Sequence, residues 1–563
     1  MTTLEHWQMA DDKYLRILKE YWGYPDFRGI QRDIIESICA GKDTLGLMPT
    51  GGGKSITFQV PAIAMEGVCL VITPLIALMK DQVDALRKKG VKAYAIYGSM
   101  KHTEILKILD NAVLGGVTLL YISPERLSSE LFLSKLSHMT VSFITVDEAH
   151  CICQWGYDFR PSYLAISEIR KIKPDAPVLA LTATATLPAI DDIQKQLNFK
   201  EKNVFRMSFE RTNLAYVVRQ TENKAGELLH ILQRMEGSAI LYVRNRRRTK
   251  EVTEWLQQQG ITADFYHAGL DDAVKDIRQQ RWQKGESRVM VATNAFGMGI
   301  DKSNVNFVIH YNMPKSLEAY YQEAGRAGRD GEAADCILLY SAGDVETAKF
   351  LIQSGGEELG DAEREELRRR DYGRLKIMTG YCKTTRCLRG YILDYFGQPH
   401  AEECGNCGNC RRTYRLEDIT IPAQMILSCV VRVRETLGYY VGKTLIVQTL
   451  RGSRDRRLLQ LGLDRLSTYG LMRKLSAEKV LAMIDRLEEA GYLRTNAQHF
   501  TLEPTAAANG VLFGGEKVAM PVHLEPAAQS GEKKRRRKSA AASAPTTGTD
   551  DLFAALKAER TRL

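Results

Sequence analysis

No stretch of this chain approaches the roughly 18–20 consecutive apolar residues needed to cross a bilayer. The first fourteen residues, Met1 to Tyr14, are polar and acidic and lack the apolar core of a secretory leader. An acidic excess is also missing: 78 Lys and Arg against 68 Asp and Glu leave a formal charge of +10. That balance argues against an acidic solvating protein and tilts towards a polyanionic partner. A disulfide framework is absent as well. Of the 11 cysteines, four fall at metal-ligand spacing and the rest are scattered among apolar positions, a usage suited to a reducing compartment. An intracellular protein with no membrane partner is expected. Hydrophobic content of 44% and charged content of 26% are those of an ordinary globular chain, and its length suggests roughly three to five domains.

What is present begins with Met48-Pro49-Thr50-Gly51-Gly52-Gly53-Lys54-Ser55, between a strand-like stretch (43–47) and an apolar run (56–64). Glycines let a backbone curl so that its N–H groups converge on phosphate oxygens, and Gly51 and Gly53 are the positions expected to do so. Lys54 supplies a point charge for the β- and γ-phosphates, and the Ser55 hydroxyl can ligate Mg²⁺. A strict phosphate-loop pattern has glycine first, where Met48 stands, and a glycine-rich turn ending in a solvated lysine is the bland alternative. Upstream, Tyr24, Arg28 and Gln31 are the groups needed to sandwich and hydrogen-bond an adenine, although by themselves they read as a helix-entry turn.

Apolar runs alternate with helical patterns on either side of residue 210. The first set reads as strands at 68–73, 93–97, 117–122, 141–146 and 178–181, with a helix over 74–88. The second set falls at 239–243, 263–266, 289–292, 307–310 and 334–340. This pattern predicts parallel sheets covered by helices, with ligands at the carboxyl ends of strands. Asp147-Glu148 follows the 141–146 strand. Asp147 can hold Mg²⁺ and Glu148 can polarise an attacking water, or the two acids can simply favour a helix N-terminus. Farther on, Arg326 and Arg329 lie three apart, a spacing that predicts a shared helix face and two guanidinium groups in one cleft. The basic run 244–248 reads as a strand end, either solvated or lining a nucleic-acid track.

Cys404, Cys407 and Cys410, separated by two-residue gaps containing glycine, give the tight turns that a tetrahedral zinc site needs, with redox or iron–sulfur chemistry as the alternative. Spacing leaves Cys382 and Cys387 as rivals for the fourth ligand. From about 417, Ser476 is expected to cap a helix bearing Val480, Ile484 and Leu487 on one face, closed by Gly491. Strands at 492–495 and 500–503 then make a hairpin, a winged-helix pattern. Lys533 to Lys538 open a low-complexity tail read as a disordered tether.

Quoted together, MPTGGGKS, ITPLIALMKDQV, YISPERL, VDEAH and LTATAT resemble motifs I, Ia, Ib, II and III of superfamily 2 helicases. CQWGYDFRPSY (153–163) resembles the aromatic-rich loop of the RecQ family, whose members also begin the phosphate loop with Met. The resemblance spans roughly residues 20–520. It implies a multidomain α/β fold: two RecA-like parallel-sheet lobes (1–210 and 211–345), a helical zinc-binding module (346–416) and a winged-helix RecQ C-terminal domain (417–525). A basic linker (526–563) would open an accessory HRDC domain that the chain stops short of. By the same resemblance, Tyr24, Arg28 and Gln31 contact adenine, Asp301 the ribose, and Cys387 rather than Cys382 completes the zinc site. Arg326 and Arg329 belong to motif VI, QxxGRxGR.

Trp155, Tyr157, Phe159 and Arg160 interleave aromatics with a cation, as base stacking requires, and stacking is worth roughly 1–3 kcal/mol per base. Their spacing also fits simple core packing. The winged-helix hairpin bearing His499 and Phe500 would meet the fork. The implied activity is ATP-dependent 3′–5′ DNA unwinding with ATP, Mg²⁺ and Zn²⁺, in recombination and repair. The implied partners are single-stranded, duplex and forked DNA, with a single-strand-binding protein at the winged helix. A monomer in the bacterial cytoplasm at the nucleoid is expected, or in the nucleus of a eukaryote. An RNA remodeller and a non-enzymatic DNA-binding regulator are the rivals. The zinc and winged-helix modules speak against the first, and an intact Lys54, Asp147, Glu148 and Arg329 set against the second.

Overall fold

A computed structural model describes residues 12–153, 159–296, 302–356, 360–411, 414–496 and 501–523. The chain divides into two compact units, one up to residue 412 and one from 413 onwards. Among the described residues, no helix is long and apolar enough to cross a membrane.

The first unit holds two all-parallel sheets. Strands β1 (Thr44–Leu47), β2 (Val68–Ile72), β3 (Ala93–Ile96), β4 (Leu119–Ile122), β5 (Val141–Val146), β6 (Val178–Thr182) and β7 (Val204–Arg206) lie in the order β3-β4-β2-β5-β6-β1-β7. Strands β8 (Leu214–Gln220), β9 (Ala239–Tyr242), β10 (Ala263–Tyr266), β11 (Val289–Ala292), β12 (Phe307–His310) and β13 (Ala334–Tyr340) lie in the order β10-β11-β9-β12-β13-β8.

Near-continuous apolar strands demand cover on both faces, and alternation sends successive residues to opposite cores. Leu70 and Ile72 enter one core while Cys69 and Val71 enter another. In the second sheet Ile240 and Tyr242 part from Ala239 and Leu241 in the same way. Parallel strands bring every carboxyl end to one edge, and there the motif loops gather. The strands at 204–206 and 214–220 were not anticipated: the first is a short edge strand too brief to show a period.

The basic run 244–248 begins just past the end of β9 but turns at once into a helix. Asn245 accepts a hydrogen bond from the Arg248 N–H (2.8 Å) and caps a helix over Arg246–Gln258. Arginines in a first helical turn run against the macrodipole, so the start was masked in sequence.

The zinc-binding region packs on the same core through the Asp361–Lys383 and Leu388–Tyr395 helices. Phe396 stacks on Phe209 with ring centroids 4.5 Å apart, and Tyr381 meets Tyr320 at 5.2 Å.

In the second unit the Ala477–Glu489 helix is capped by Ser476, whose hydroxyl accepts from the Lys479 N–H at 3.2 Å. Its Val480, Ile484 and Leu487 are buried against the Thr420–Leu437 and Lys443–Arg451 helices. Gly491 takes a φ of +79°, as a chain leaving a helix requires. Strands β15 (Leu493–Thr495) and β16 (Leu502–Pro504) pair antiparallel as the wing. A ribbon of β14 (Tyr414–Asp418) with β17 (Ala519–His523) joins the two ends of the unit. Local periodicity holds no signal for a pairing across so many residues.

Candidate functional site

The loop after β1 opens on Met48, whose side chain is 0% exposed and packs into the core of the first sheet. An apolar residue is therefore at home where a strict pattern has glycine. Gly51 and Gly53 take φ values of +84° and +76°, which L side chains adopt only with strain. A Cβ on Gly53 would also run into the Gln31 amide. Gln31 is buried, donates to the carbonyls of Gly52 (3.3 Å) and Gly53 (3.1 Å), and accepts from the Arg28 N–H (2.8 Å). The Arg28 guanidinium lies 5.8 Å from the centroid of the Tyr24 ring, which is 46% exposed. The adenine candidates thus flank the phosphate loop, with Tyr24 open to a stacking ring. Ser55 Oγ accepts from Gln82 Nε2 at 3.0 Å.

β5 delivers the acid pair to the same edge. Lys54 Nζ stands 3.7 Å from Glu148 Oε1. Asp147 is held by its N–H to Ile72 O (2.9 Å), by the Thr73 hydroxyl donating to its carboxylate (3.3 Å) and by the Tyr163 hydroxyl donating to its carbonyl (3.0 Å). Glu148 adopts φ +49°, in the left-handed region, which disfavours non-glycine residues by roughly 1–2 kcal/mol. Such strain is retained where a side chain must be aimed. His150 Nδ1 lies 3.4 Å from Glu148 Oε2 and 2.9 Å from Thr182 Oγ1, linking the acid pair to the carboxyl end of β6.

Burial, followed by the charge of Glu148, pushes the Asp147 carboxyl up to about 6. Glu148 is equally buried, but Lys54, then His150 and Arg326, outweigh that penalty and hold its carboxyl below the ordinary range. Two adjacent acids thus have opposite tendencies: the ionised form of Glu148 is favoured, whereas burial and its neighbour's charge disfavour ionisation of Asp147.

Arg326 and Arg329 do not share a helix face. The helix Leu317–Ala324 ends at Gly325, and both arginines lie in the turns beyond it. At Gly325 the chain approaches the phosphate loop so closely that a Cβ would clash with Thr50 Oγ1. A Cβ on Gly51 would touch Arg329 Cγ at 3.4 Å. A turn rather than a helix thus carries both arginines, and it brings Arg329 beside the phosphate loop. Phe159 and Arg160 are half-buried, and the Arg160 N–H donates to Cys151 O at 2.9 Å. Trp155, Asp301, His499 and Phe500 lie outside the described residues. Thr73, Gln82, His150, Tyr163 and Arg211 escaped the sequence reading, because each acts through contacts made only on folding.

Cys387, Cys404, Cys407 and Cys410 bring their sulfurs within 4.8 Å of one another. A tetrahedral zinc with bonds of about 2.3 Å places its sulfurs about 3.8 Å apart, close to the 4.0 Å of Cys407–Cys387 and 3.4 Å of Cys407–Cys410. Backbone N–H groups favour thiolates here: Gly390 donates to Cys387 (3.3 Å), Asn406 and Cys407 to Cys404 (3.4 and 3.3 Å), and Leu388 and Cys410 to Cys407 (3.3 and 3.4 Å). The Cys407 thiol, next to that of Cys387 and these donors, is pulled down to about 4. The donor set fits zinc. Cys387 caps the Leu388–Tyr395 helix, whereas Cys382 is buried in the preceding helix and core, which settles the rivalry.

Structural zinc supplies roughly 10–16 kcal/mol of metal-linked folding free energy. Cys407→Ser is therefore expected to lose the bound zinc, read by metal analysis, and to melt at markedly lower temperature. Zinc retained at the wild-type ratio would contradict this.

The profile described as DEAD/DEAH box helicase matches residues 28–193, and that of the helicase conserved C-terminal domain matches residues 223–331. Fold and site together define a helicase motor with two lobes. Profiles for a RecQ zinc-binding module and an RQC domain match residues 342–411 and 413–529. The chain is 42% identical over 516 residues to the ATP-dependent DNA helicase RecQ of Bacillus subtilis (strain 168), covering 91% of this chain and 85% of that protein. It is 36% identical over 511 residues to the protein of the same name from Pasteurella multocida (strain Pm70), covering 90% and 79%. This chain belongs to the RecQ family and is an ATP-dependent helicase with a zinc-binding module. A crystal structure of the DUF1998 helicase MrfA bound to DNA matches with a TM-score of 0.51 at 14% identity, over 68% of this chain and 54% of that one, a likeness of fold.

Proposed function

We propose that this chain couples ATP hydrolysis to 3′–5′ movement along single-stranded DNA and so unwinds duplex and forked DNA in recombination and repair. The observation that carries the reading is the convergence of Lys54, Glu148 and Arg326 at one cleft between two parallel-sheet lobes. Amide groups around Gly51 and Gly53, with Lys54, cradle the triphosphate, and Tyr24, Arg28 and Gln31 hold the adenine while Asp301 meets the ribose. Ser55 and Asp147 are the oxygen donors that a hard cation such as Mg²⁺ takes. Glu148 accepts the proton of the attacking water, and Arg326 and Arg329 stabilise charge on the transferred phosphoryl group. Loss of the γ-phosphate removes what the two lobes grip together, and the cleft opens.

Trp155, Phe159 and Arg160 follow the acid pair directly, so bases stacked there bear on Glu148 through a short span of chain. The 417–525 domain grips duplex DNA with His499 and Phe500 at the fork, and a monomer that meets a single-strand-binding protein completes the reading. Trp155→Ala is expected to lower the ratio of DNA-stimulated to basal ATP hydrolysis about tenfold, the loss of one stacked base. An unchanged ratio would remove the loop from the coupling. Strand separation on duplexes with a 3′ tail, a 5′ tail, a fork, or an RNA loading strand tests the whole reading. Unwinding of 3′-tailed and forked DNA is expected, and preference for a 5′ tail or for RNA would overturn it.

A further inference from the structure

Arg211, in the segment between β7 and β8 (207–213), uses all five guanidinium donors without a carboxylate partner among them. Nη1 donates to Thr50 O of the phosphate loop (3.0 Å) and Gly325 O (3.3 Å). Nη2 donates to Ala327 O (3.1 Å) and Gly328 O (2.9 Å), and Nε to Asn213 Oδ1 (3.4 Å). One planar fork thus joins the first lobe's phosphate loop to the carbonyls on both sides of Arg326 and just before Arg329.

The segment carrying this fork is itself held from the zinc-binding region. Gln398 accepts from the Phe209 N–H (2.8 Å) and donates to Ser208 Oγ (2.7 Å). The buried Arg389 donates to Thr212 O (3.0 Å) and Leu214 O (2.9 Å), and Asn406 Nδ2 donates to Thr212 O (3.2 Å). On the other side, the Tyr321 hydroxyl donates to Phe209 O at 2.9 Å, tying the segment to the helix that leads into Arg326.

We propose that Arg211 is a positioning residue for ATP hydrolysis: it sets the Arg326–Arg329 turn in register with the phosphate loop, from a strap anchored on the zinc-binding module. The inference rests on the assignment of Arg326 and Arg329 to the reacting phosphoryl group. Those arginines lie beyond a helix that ends at Gly325, where the Gly328 and Arg329 N–H groups donate to Val305 O (2.9 Å) and Ser303 O (3.1 Å), while the carbonyls of Gly325, Ala327 and Gly328 all accept from Arg211, the group that ties this turn to the phosphate loop. A misplacement of about 1 Å at such groups can lower a rate by about 10²-fold. Lysine retains the charge but presents a single ammonium point, which cannot reach both loops in one plane.

The test compares steady-state, DNA-stimulated ATP hydrolysis by the full chain with Arg211→Lys, Arg211→Gln and, as reference, Arg329→Ala. Both Arg211 variants are expected to lose about 10²-fold in kcat, with KM for ATP within about threefold, since the interaction matters in the transition state and not in ground-state binding. Zinc content and melting temperature should stay near wild type. Wild-type kcat in Arg211→Lys, or a loss borne by KM alone, would overturn the proposal. Loss of zinc and of cooperative melting in both variants would overturn it too, by making Arg211 a support of the fold. If Arg329→Ala hydrolyses normally, the assignment of Arg329 fails instead, and the two failures are told apart.

Discussion

Arg329→Ala is expected to slow ATP hydrolysis by on the order of 10³–10⁵-fold, the range attributed to arginines that meet a transferring phosphoryl group. The side chain leaves a turn rather than a helix, and its Cγ lies 3.4 Å from where a Cβ on Gly51 would stand. A guanidinium beside the phosphate loop neutralises charge that builds up on the equatorial oxygens, and alanine leaves that charge to water. With ground-state binding assigned to the loop amides and Lys54 in the proposed function, the loss should appear in kcat, with nucleotide binding reduced far less. Single-turnover hydrolysis together with fluorescent-nucleotide titration checks both parts. A kcat within tenfold of wild type would remove Arg329 from the reaction.

Glu148→Gln should lower kcat by on the order of 10²–10⁴-fold, the contribution of a general base. The replacement keeps shape and removes the proton acceptor. It also dissolves the 3.7 Å pair with Lys54, so Lys54 is freed for phosphate, and nucleotide binding should hold or tighten. Glutamine meets the same left-handed backbone as glutamate, so the melting temperature should move little. The expected protein binds ATP and single-stranded DNA yet does not turn over; turnover within tenfold of wild type would assign the base elsewhere. Arg326→Ala would be harder to read, because Arg326 also helps hold the Glu148 charge.

Much of this site is legible along the chain because its groups sit next to one another in sequence. The phosphate loop, Asp147-Glu148 and the cysteines at 404, 407 and 410 are short segments, so residue type and spacing declare them. Met48 looked like a departure from pattern and proved to be a core residue, a distinction that burial alone can make. The arginines at 326 and 329 were expected on one helix face. Three-residue spacing suits a helix, but the helix ends at Ala324 and turns carry both residues. The basic run at 244–248 likewise hid a helix start, since its charges oppose the helix dipole while only the Asn245 cap favours it.

Sequence alone determined the parallel-sheet lobes, the order of the motifs, three of the four zinc thiolates and the winged-helix pattern, because each depends on neighbours within a few residues. Tertiary structure decided that Cys387 and not Cys382 joins those thiolates, that β14 pairs with β17, and that Glu148 is held in a left-handed turn opposite Lys54. It also placed Arg211 across both lobes at once. Those features join residues tens to hundreds of positions apart, and packing, not local periodicity, selects which distant groups meet.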